Sequence, residues 1–411
     1  MILILFPPSI PCRILSFFSN DFINMMFKFA QGTVCRLSVL LAGFSPVAFA
    51  VEPLIATPND YQPNIVDDVL DIFGADADFD RSKTIDMSYI PTAYYTPEKQ
   101  FGVGLLLVGL YKTDKATEQE QPSSLVVNTY ASMNQSYGIS AENMTYFNQG
   151  QQRLNLELEL HNEAAVYYGI GSAAGDNENN KNDFDEVLVS FKPTWMTALA
   201  DNYFVGIGAE VTHAKAENIE SEAGPTSLTL PSSTSSGIRL LSSYDSRDYR
   251  LNASEGWLFE VDAALFHRSD NNEQYGRYGV ELNNYIDLSP MPGLLAWQLQ
   301  GQFSSGDVPW YALPDLGGSS AMRGYIRGRY RDKQMAMGQV EYRLPVFQRY
   351  GMVFWGAAGS VAPSIHELNQ DVLASVGTGF RVRIKDRINL RADIGKGKHE
   401  THFYLNVNEA F

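Results

Sequence analysis

The chain has 411 residues, 45% of them hydrophobic and 19% charged, with a formal net charge of −16. No run in its body reaches the ~20 consecutive apolar residues of a membrane-spanning helix, so a helical membrane protein is excluded. The acidic balance argues against nucleic-acid binding, which needs a basic footprint.

Residues 1–50 read as a secretory signal peptide. Lys28 and Arg36 precede an apolar run from Leu37 to Phe44, and Ala48-Phe49-Ala50 puts small residues where a signal peptidase reads. The stretch before Met25 and Met26 has its own apolar start and Pro7-Pro8, which points to a true start at Met25 or Met26. An N-terminal membrane anchor is the weaker alternative. Cys12 and Cys35, the only cysteines, both fall in this segment. The exported chain is therefore expected to have neither a disulfide framework nor a cysteine metal site, which suits an oxidising periplasm.

Residues 51–84 crowd Asp67, Asp68, Asp71, Asp76, Asp78 and Asp80 together. The last three have the spacing of a calcium loop. However, Arg81 stands where the turn needs glycine, and Met87 where a closing glutamate belongs. The segment is expected to be acidic and periplasmic, with a helical turn around Ile65 to Phe73 and no metal.

The rest, 85–411, reads as an all-β, antiparallel transmembrane barrel. Leu154, Leu156, Leu158 and Leu160 alternate with Asn155, Glu157 and Glu159. A strand puts those leucines on one face, whereas a helix would scatter them. The alternation recurs at Tyr203–Val211, at Trp257–Leu265, and at Ile388–Ile394 opposite Asn389, Arg391 and Asp393. A soluble sandwich would alternate too. Strands of about ten residues favour the membrane. So does a rhythm of short connections near Met133–Tyr137, His161–Glu163 and Ala198–Asn202 against long ones at 112–122, 171–183, 214–234 and 305–332. Aromatics such as Tyr111, Tyr203, Trp257 and Tyr404 stand near strand ends, as in interfacial girdles. Counting from Phe101 gives about sixteen strands, with Ser88–Tyr95 a further short strand or a lead-in. Phe403, Leu405, Val407 and Phe411 share one face of the last strand, broken only by Glu409, and form the expected signal for the outer-membrane assembly machinery.

No catalytic constellation is visible. Ser172 lacks the Gly-x-Ser-x-Gly frame, and His399 and His402 lie three apart, on opposite strand faces. No helix follows Gly206/Gly208 or Gly377/Gly379, so these glycine pairs read as room inside a barrel rather than as phosphate loops. No enzymatic activity, cofactor or metal is expected.

Several segments, taken in order, resemble the BamA/TamA-type bacterial surface antigen barrels. Tyr244-Asp245-Ser246-Arg247-Asp248, with Gly256-Trp257, resembles the family's turn between strands. Leu316-Gly317-Gly318, Met322-Arg323-Gly324-Tyr325 and Gly328-Arg329-Tyr330-Arg331-Asp332 resemble its long sealing loop. Glu341-Tyr342-Arg343-Leu344-Pro345, Val376 to Arg381, Leu390 to Gly395 and Phe403 to Phe411 complete the match. The resemblance covers about 244–411 strongly, with weaker echoes at Ile90-Pro91, Tyr94 to Glu98 and Tyr167 to Gly171. These upstream segments look like the barrel starts of members lacking periplasmic docking (POTRA) domains, and 51–84 is expected to be too short for one.

The resemblance implies a barrel whose first and last strands meet at a weak seam. It also implies a loop latch of Arg323, Gly324 and Tyr325 reaching Glu341, and a family turn of Asp245, Arg247, Asp248 and Gly256. The second acid of the family's latch, an aspartate in the strand after Glu341, is not found, because Gly356 or Ala357 stands in its place. An arginine inside a narrow lumen needs a carboxylate, since an unpaired charge away from water is costly. The implied location is the outer membrane of a Gram-negative bacterium, in contact with lipid and lipopolysaccharide. The implied function is assistance in inserting or translocating proteins, with a protein client or a separate periplasmic subunit as partner. The alternative is a passive pore or structural barrel plugged by the Arg323 loop.

Overall fold

The computed structural model describes residues 82–113, 122–221, 223–224, 228–250, 252–347, 349–385 and 388–411, together with Asp68 and Ile72. The expected signal peptide and the acidic stretch up to Arg81 lie outside the described residues, apart from Asp68 and Ile72, both helical and both within the expected turn around Ile65 to Phe73.

The described residues form eighteen strands, and sixteen of these close a single antiparallel barrel. These are β1 Ile85–Thr96, β2 Gln100–Tyr111, β3 Ser123–Ser132, β4 Tyr137–Phe147, β5 Gln152–Tyr167, β6 Asn182–Ala200, β7 Tyr203–Ser221 and β8 Ser233–Asp245. They continue with β9 Gly256–Arg268, β10 Gln274–Asp287, β11 Leu294–Gly306, β14 Gln334–Phe347, β15 Tyr350–Ala362, β16 Leu373–Lys385, β17 Ile388–Lys396 and β18 Thr401–Val407. The short pair β12 Asp315–Leu316 and β13 Tyr330–Arg331 lies in the long connection between β11 and β14. Each barrel strand pairs with its neighbour in sequence, β11 pairs with β14, and β1 meets β18.

Alternation decides which side chain goes where. Val103, Ile207, Ile238, Leu240, Phe354, Val376, Phe380 and Ile394 point outward and are exposed. This is the apolar belt of a membrane barrel rather than a misplaced core. The phase opposite holds Asn155, Glu210, Asn283, Gln298, Glu341, Arg343, Arg381 and Asp393, all buried within the lumen.

Three expectations about the strands are corrected. Ser88–Tyr95 is a further strand rather than a lead-in, and a full one: β1 has twelve residues and is followed by fifteen barrel strands, not about sixteen. Pro91 is tolerated on it because β1 is an edge strand, facing the seam. Second, His161–Glu163 is not a turn but part of β5, which pairs with β6 as far as Tyr167. His161 is buried between Glu159 at 3.2 Å and Glu186 at 3.5 Å. Third, the rhythm of loop lengths differs. With β1 starting at the inner end, strand parity puts the end of β2 at Tyr111 and the start of β3 at Ser123 on the inner side, where a long connection was expected outside, and the short Met133–Tyr137 connection on the outer side. The outer side also holds the long connections 168–181 and 307–333.

Candidate functional site

The connection between β11 and β14 folds into the lumen. Gly324 has φ +105°, and a Cβ there would fall 2.8 Å from the backbone of Gly397, so only glycine lets the loop lie this close to the wall. This seats Arg323, which is fully buried. Its guanidinium pairs with Glu341 of β14 and, at 2.7 Å, with Asp393 of β17. It also lies 4.2 Å from the ring centre of Trp355, a cation–π contact.

Asp393 corrects the expectation that a second acid is missing. The strand after Glu341 contributes no acid there, because Trp355 stands directly opposite Glu341 and supplies a π face. The charge comes from two strands further on. Asp393 also accepts from Arg381 at 2.6 Å and from Arg391 at 3.2 Å. Lumen-facing glycines leave the space: a Cβ on Gly379 would fall 1.9 Å from the Asp393 carboxylate, and one on Gly377 2.3 Å from Trp355. Asp393 was visible in the sequence as a polar-phase residue of β17; which strand it would face was not.

The loop also ties down both flanks of the seam. The Gly324 amide donates to the Tyr404 hydroxyl of β18 at 2.9 Å, and the Tyr325 hydroxyl donates to the Ala374 carbonyl of β16 at 2.8 Å. On the other flank the Arg327 amide donates to Glu98, in the β1–β2 turn, at 2.7 Å. The seam itself is slight. Its register consists of Tyr95 opposite Leu405, against twelve pairs between β1 and β2. The Tyr95 and Phe403 rings, 5.8 Å apart, meet across it. Toward the inner end, the lumen-facing Ile90, Leu106 and Val108 pack with Ile388, Leu390 and Val407, which belong to the outward phase of β17 and β18. The two edges therefore overlap there.

Above the latch, Arg329 is almost wholly buried and pairs with Glu400 and, at 2.6 Å, with Glu178. The Tyr330 hydroxyl donates to Asp176 at 2.9 Å, and Lys398 pairs with the same carboxylate at 2.9 Å. Connection 168–181 is thereby locked onto the sealing loop. Partial burial pushes Asp176 and Glu178 up. The Lys398 and Tyr330 hydrogen bonds on Asp176, and Arg329 on Glu178, outweigh this and hold both below the ordinary carboxylate range.

The remaining expected residues lie apart from the latch. Asp245 accepts from the Arg247 side chain at 2.9 Å, and Asp248 accepts from the Ser254 amide at 2.8 Å. A Cβ on Gly256 would strike the Ser246 carbonyl at 2.3 Å. These four residues shape the β8–β9 turn. Phe403 faces outward, with Leu405 and Val407 in its phase. Phe411 does not share that face. The strand ends at Val407, Asn408 takes φ 66°, and Phe411 turns into the lumen against Tyr285, Leu294 and Ala296. Its carbonyl accepts from Arg343 at 2.9 Å, and Glu409 pairs with Arg381 at 2.7 Å. Glu409, the one polar residue in the apolar phase, marked the place where the strand ends. Among the described residues, no group of three or more His, Cys, Asp or Glu is placed to hold a metal.

A closed sixteen-stranded barrel, belted in apolar side chains and holding an arginine loop in its lumen, defines a transmembrane barrel of the loop-sealed type. The Omp85 superfamily domain matches residues 123–411. The chain belongs to that superfamily. BamA from Haemophilus ducreyi, solved without POTRA domains 1–3, superposes with TM-score 0.52 at 13% identity, over 79% of this chain and 70% of that one. CdiB from Acinetobacter baumannii gives 0.50 at 11% identity, and CdiB from Escherichia coli 0.50 at 8%. Each CdiB alignment covers 79% of this chain, which spans only 60% and 63% of those proteins. At these identities the likeness is one of fold. No curated protein matches in sequence.

Proposed function

We propose that this barrel works at the outer membrane of a Gram-negative bacterium, assisting the insertion or translocation of proteins through the β1–β18 seam. The loop that carries Arg323 is its clasp. The supporting observation is that one loop bonds both flanks of a seam held by a single register pair. Releasing the clasp frees both edges together. The wall is also low there: the seven residues of β18 reach about 23 Å even untilted, short of the ~25 Å apolar band of such barrels. Lipid beside the seam must thin to match it, which eases insertion of a client strand. On this reading the partners are lipid and lipopolysaccharide, a protein client or a separate periplasmic subunit, and the outer-membrane assembly machinery during biogenesis.

Tyr95 and Leu405 face each other in register, at a spacing that suits a disulfide. The Tyr95→Cys/Leu405→Cys variant, oxidised, is expected to lose support of outer-membrane protein assembly and surface display, and to regain it on reduction. Full activity of the locked barrel, or unchanged assembly after deletion of the gene, overturns the proposal.

A further inference from the structure

The lumen is not filled by the clasp. A cavity of about 350 Å³ lies against the wall built by β5 to β11, away from the strands that hold Arg323. It shares Glu159, Ser190 and Lys192 with a second cavity of about 310 Å³ nearer the inner end. Toward the outer end it shares Asp315 and Arg327 with a third cavity of about 150 Å³, which in turn shares Glu98 and Phe184 with a fourth of about 410 Å³ at the outer rim. The sealing loop forms one side of this series, with Tyr311, Leu313, Asp315 and Arg327 lining both the first and the third cavity.

The series narrows at one place. Its innermost member shares Val126 and Glu142 with the second cavity and measures only about 10 Å³, room for about one water. Arg250, from the β8–β9 turn, reaches across it to Glu142 of β4 at 2.5 Å. The same turn buries Asn252, Ala253 and Ser254. It is thus packed into the inner mouth rather than hanging in solvent. The clasp contributes nothing to this closure.

The charge along the route is uneven. The central cavity is lined by Glu159, Glu210, Glu260, Asp262, Glu281 and Asp315 against Lys192, Arg239, Arg277 and Arg327. Two of those cations are engaged, Arg277 with Glu210 at 2.7 Å and Arg327 with Asp315 at 3.7 Å. The next cavity inward is lined by Glu142, Glu157 and Glu159 against Lys192, and of the three Glu142 is the one that Arg250 engages. An aqueous path with surplus carboxylates between low-dielectric walls concentrates cations and repels anions.

We infer that the lumen carries small inorganic cations along this wall, and that the Arg250–Glu142 ion pair is the constriction closing the route at its inner end. The inference does not rest on the seam reading, because the current is read without any client protein. The test uses the purified, refolded barrel in planar bilayers under a KCl gradient, with each variant's folding checked by heat-modifiable gel migration. Arg250→Ala and, independently, Glu142→Gln are expected to raise the current several-fold over wild type, with a reversal potential on the potassium side. Glu142→Gln keeps the side-chain shape and carries the test if Arg250→Ala does not fold. Adding Glu157→Gln and Glu281→Gln to either is expected to move the reversal potential toward zero. Currents at the wild-type level in both opening variants overturn the inference. So does an anion-selective current, or a reversal potential indifferent to the two neutralised carboxylates.

Discussion

Replacing Asp393 with alanine should weaken the barrel more than replacing Arg323, although Arg323 is the loop residue that reaches the wall. The buried cluster holds Arg323, Arg343, Arg381 and Arg391 against Glu341, Asp393 and Glu409, four cations to three anions. Arg323→Ala brings the two sides level. Glu341 keeps Arg343 at 2.8 Å, and Asp393 keeps Arg381 and Arg391. The loss is two charge-assisted bonds less the relieved desolvation of the arginine, about 1–3 kcal/mol. Asp393→Ala leaves four cations to two anions. Arg323 retains Glu341 and Arg381 retains Glu409, but Arg391 loses the acid it pairs with. Breaking a buried pair from one side costs about 3–5 kcal/mol, because the other charge stays buried. Urea titration of barrels folded into lipid vesicles, followed by tryptophan fluorescence, measures both variants. The reasoning fails if Arg323→Ala costs as much as Asp393→Ala, or if Asp393→Ala matches wild type.

Gly379→Ala adds no charge but puts a Cβ 1.9 Å from the Asp393 carboxylate. It should cost about 1–3 kcal/mol by overpacking and expose the loop to protease, and an undisturbed loop would refute the close-packed latch. Glu98→Ala removes the acceptor of the Arg327 amide; it should lower crosslinking between Tyr95 and Leu405 positions across the seam while leaving the Arg323 pairs intact, and unchanged crosslinking would count against a clasp on both flanks. Acid should open the outer lid. Asp176 and Glu178 titrate below their ordinary values in the folded barrel, so their contribution is complete above those ordinary values and is lost as pH falls through the lowered ones. Proteolysis of connection 168–181 should therefore accelerate on acidification, and growing protection there would contradict the sign.

Most of the barrel was legible because lipid and lumen place opposite demands on successive side chains, as at Leu154 to Leu160 and Ile388 to Ile394. What alternation cannot carry is which strands face each other across the lumen. Glu341 could be matched to Arg323 by resemblance, yet the second acid was sought in the adjacent strand. Barrel closure instead brings β17 to the loop, and Trp355 takes the adjacent place. A strong local signal misled in the same way: the polar run His161–Glu163 imitated a turn where it is lumen lining.

The residues that were hardest to read are those whose partners lie on the far side of the molecule, and they share a consequence. Arg250 is 108 positions from Glu142, Arg327 is 229 from Glu98, and Gly324 is 80 from Tyr404. None of these contacts is a strand pair, so none is required for the hydrogen-bonded wall to form. Such contacts can break while the ladder stays intact, because each exchanges a few polar bonds rather than a register of backbone pairs. The clasp and the inner constriction also share no residue. The seam and the lumen route can therefore open separately: loosening the loop frees the β1 and β18 edges while Arg250 still holds Glu142, and breaking that pair opens the inner mouth while Arg323 still holds Glu341 and Asp393.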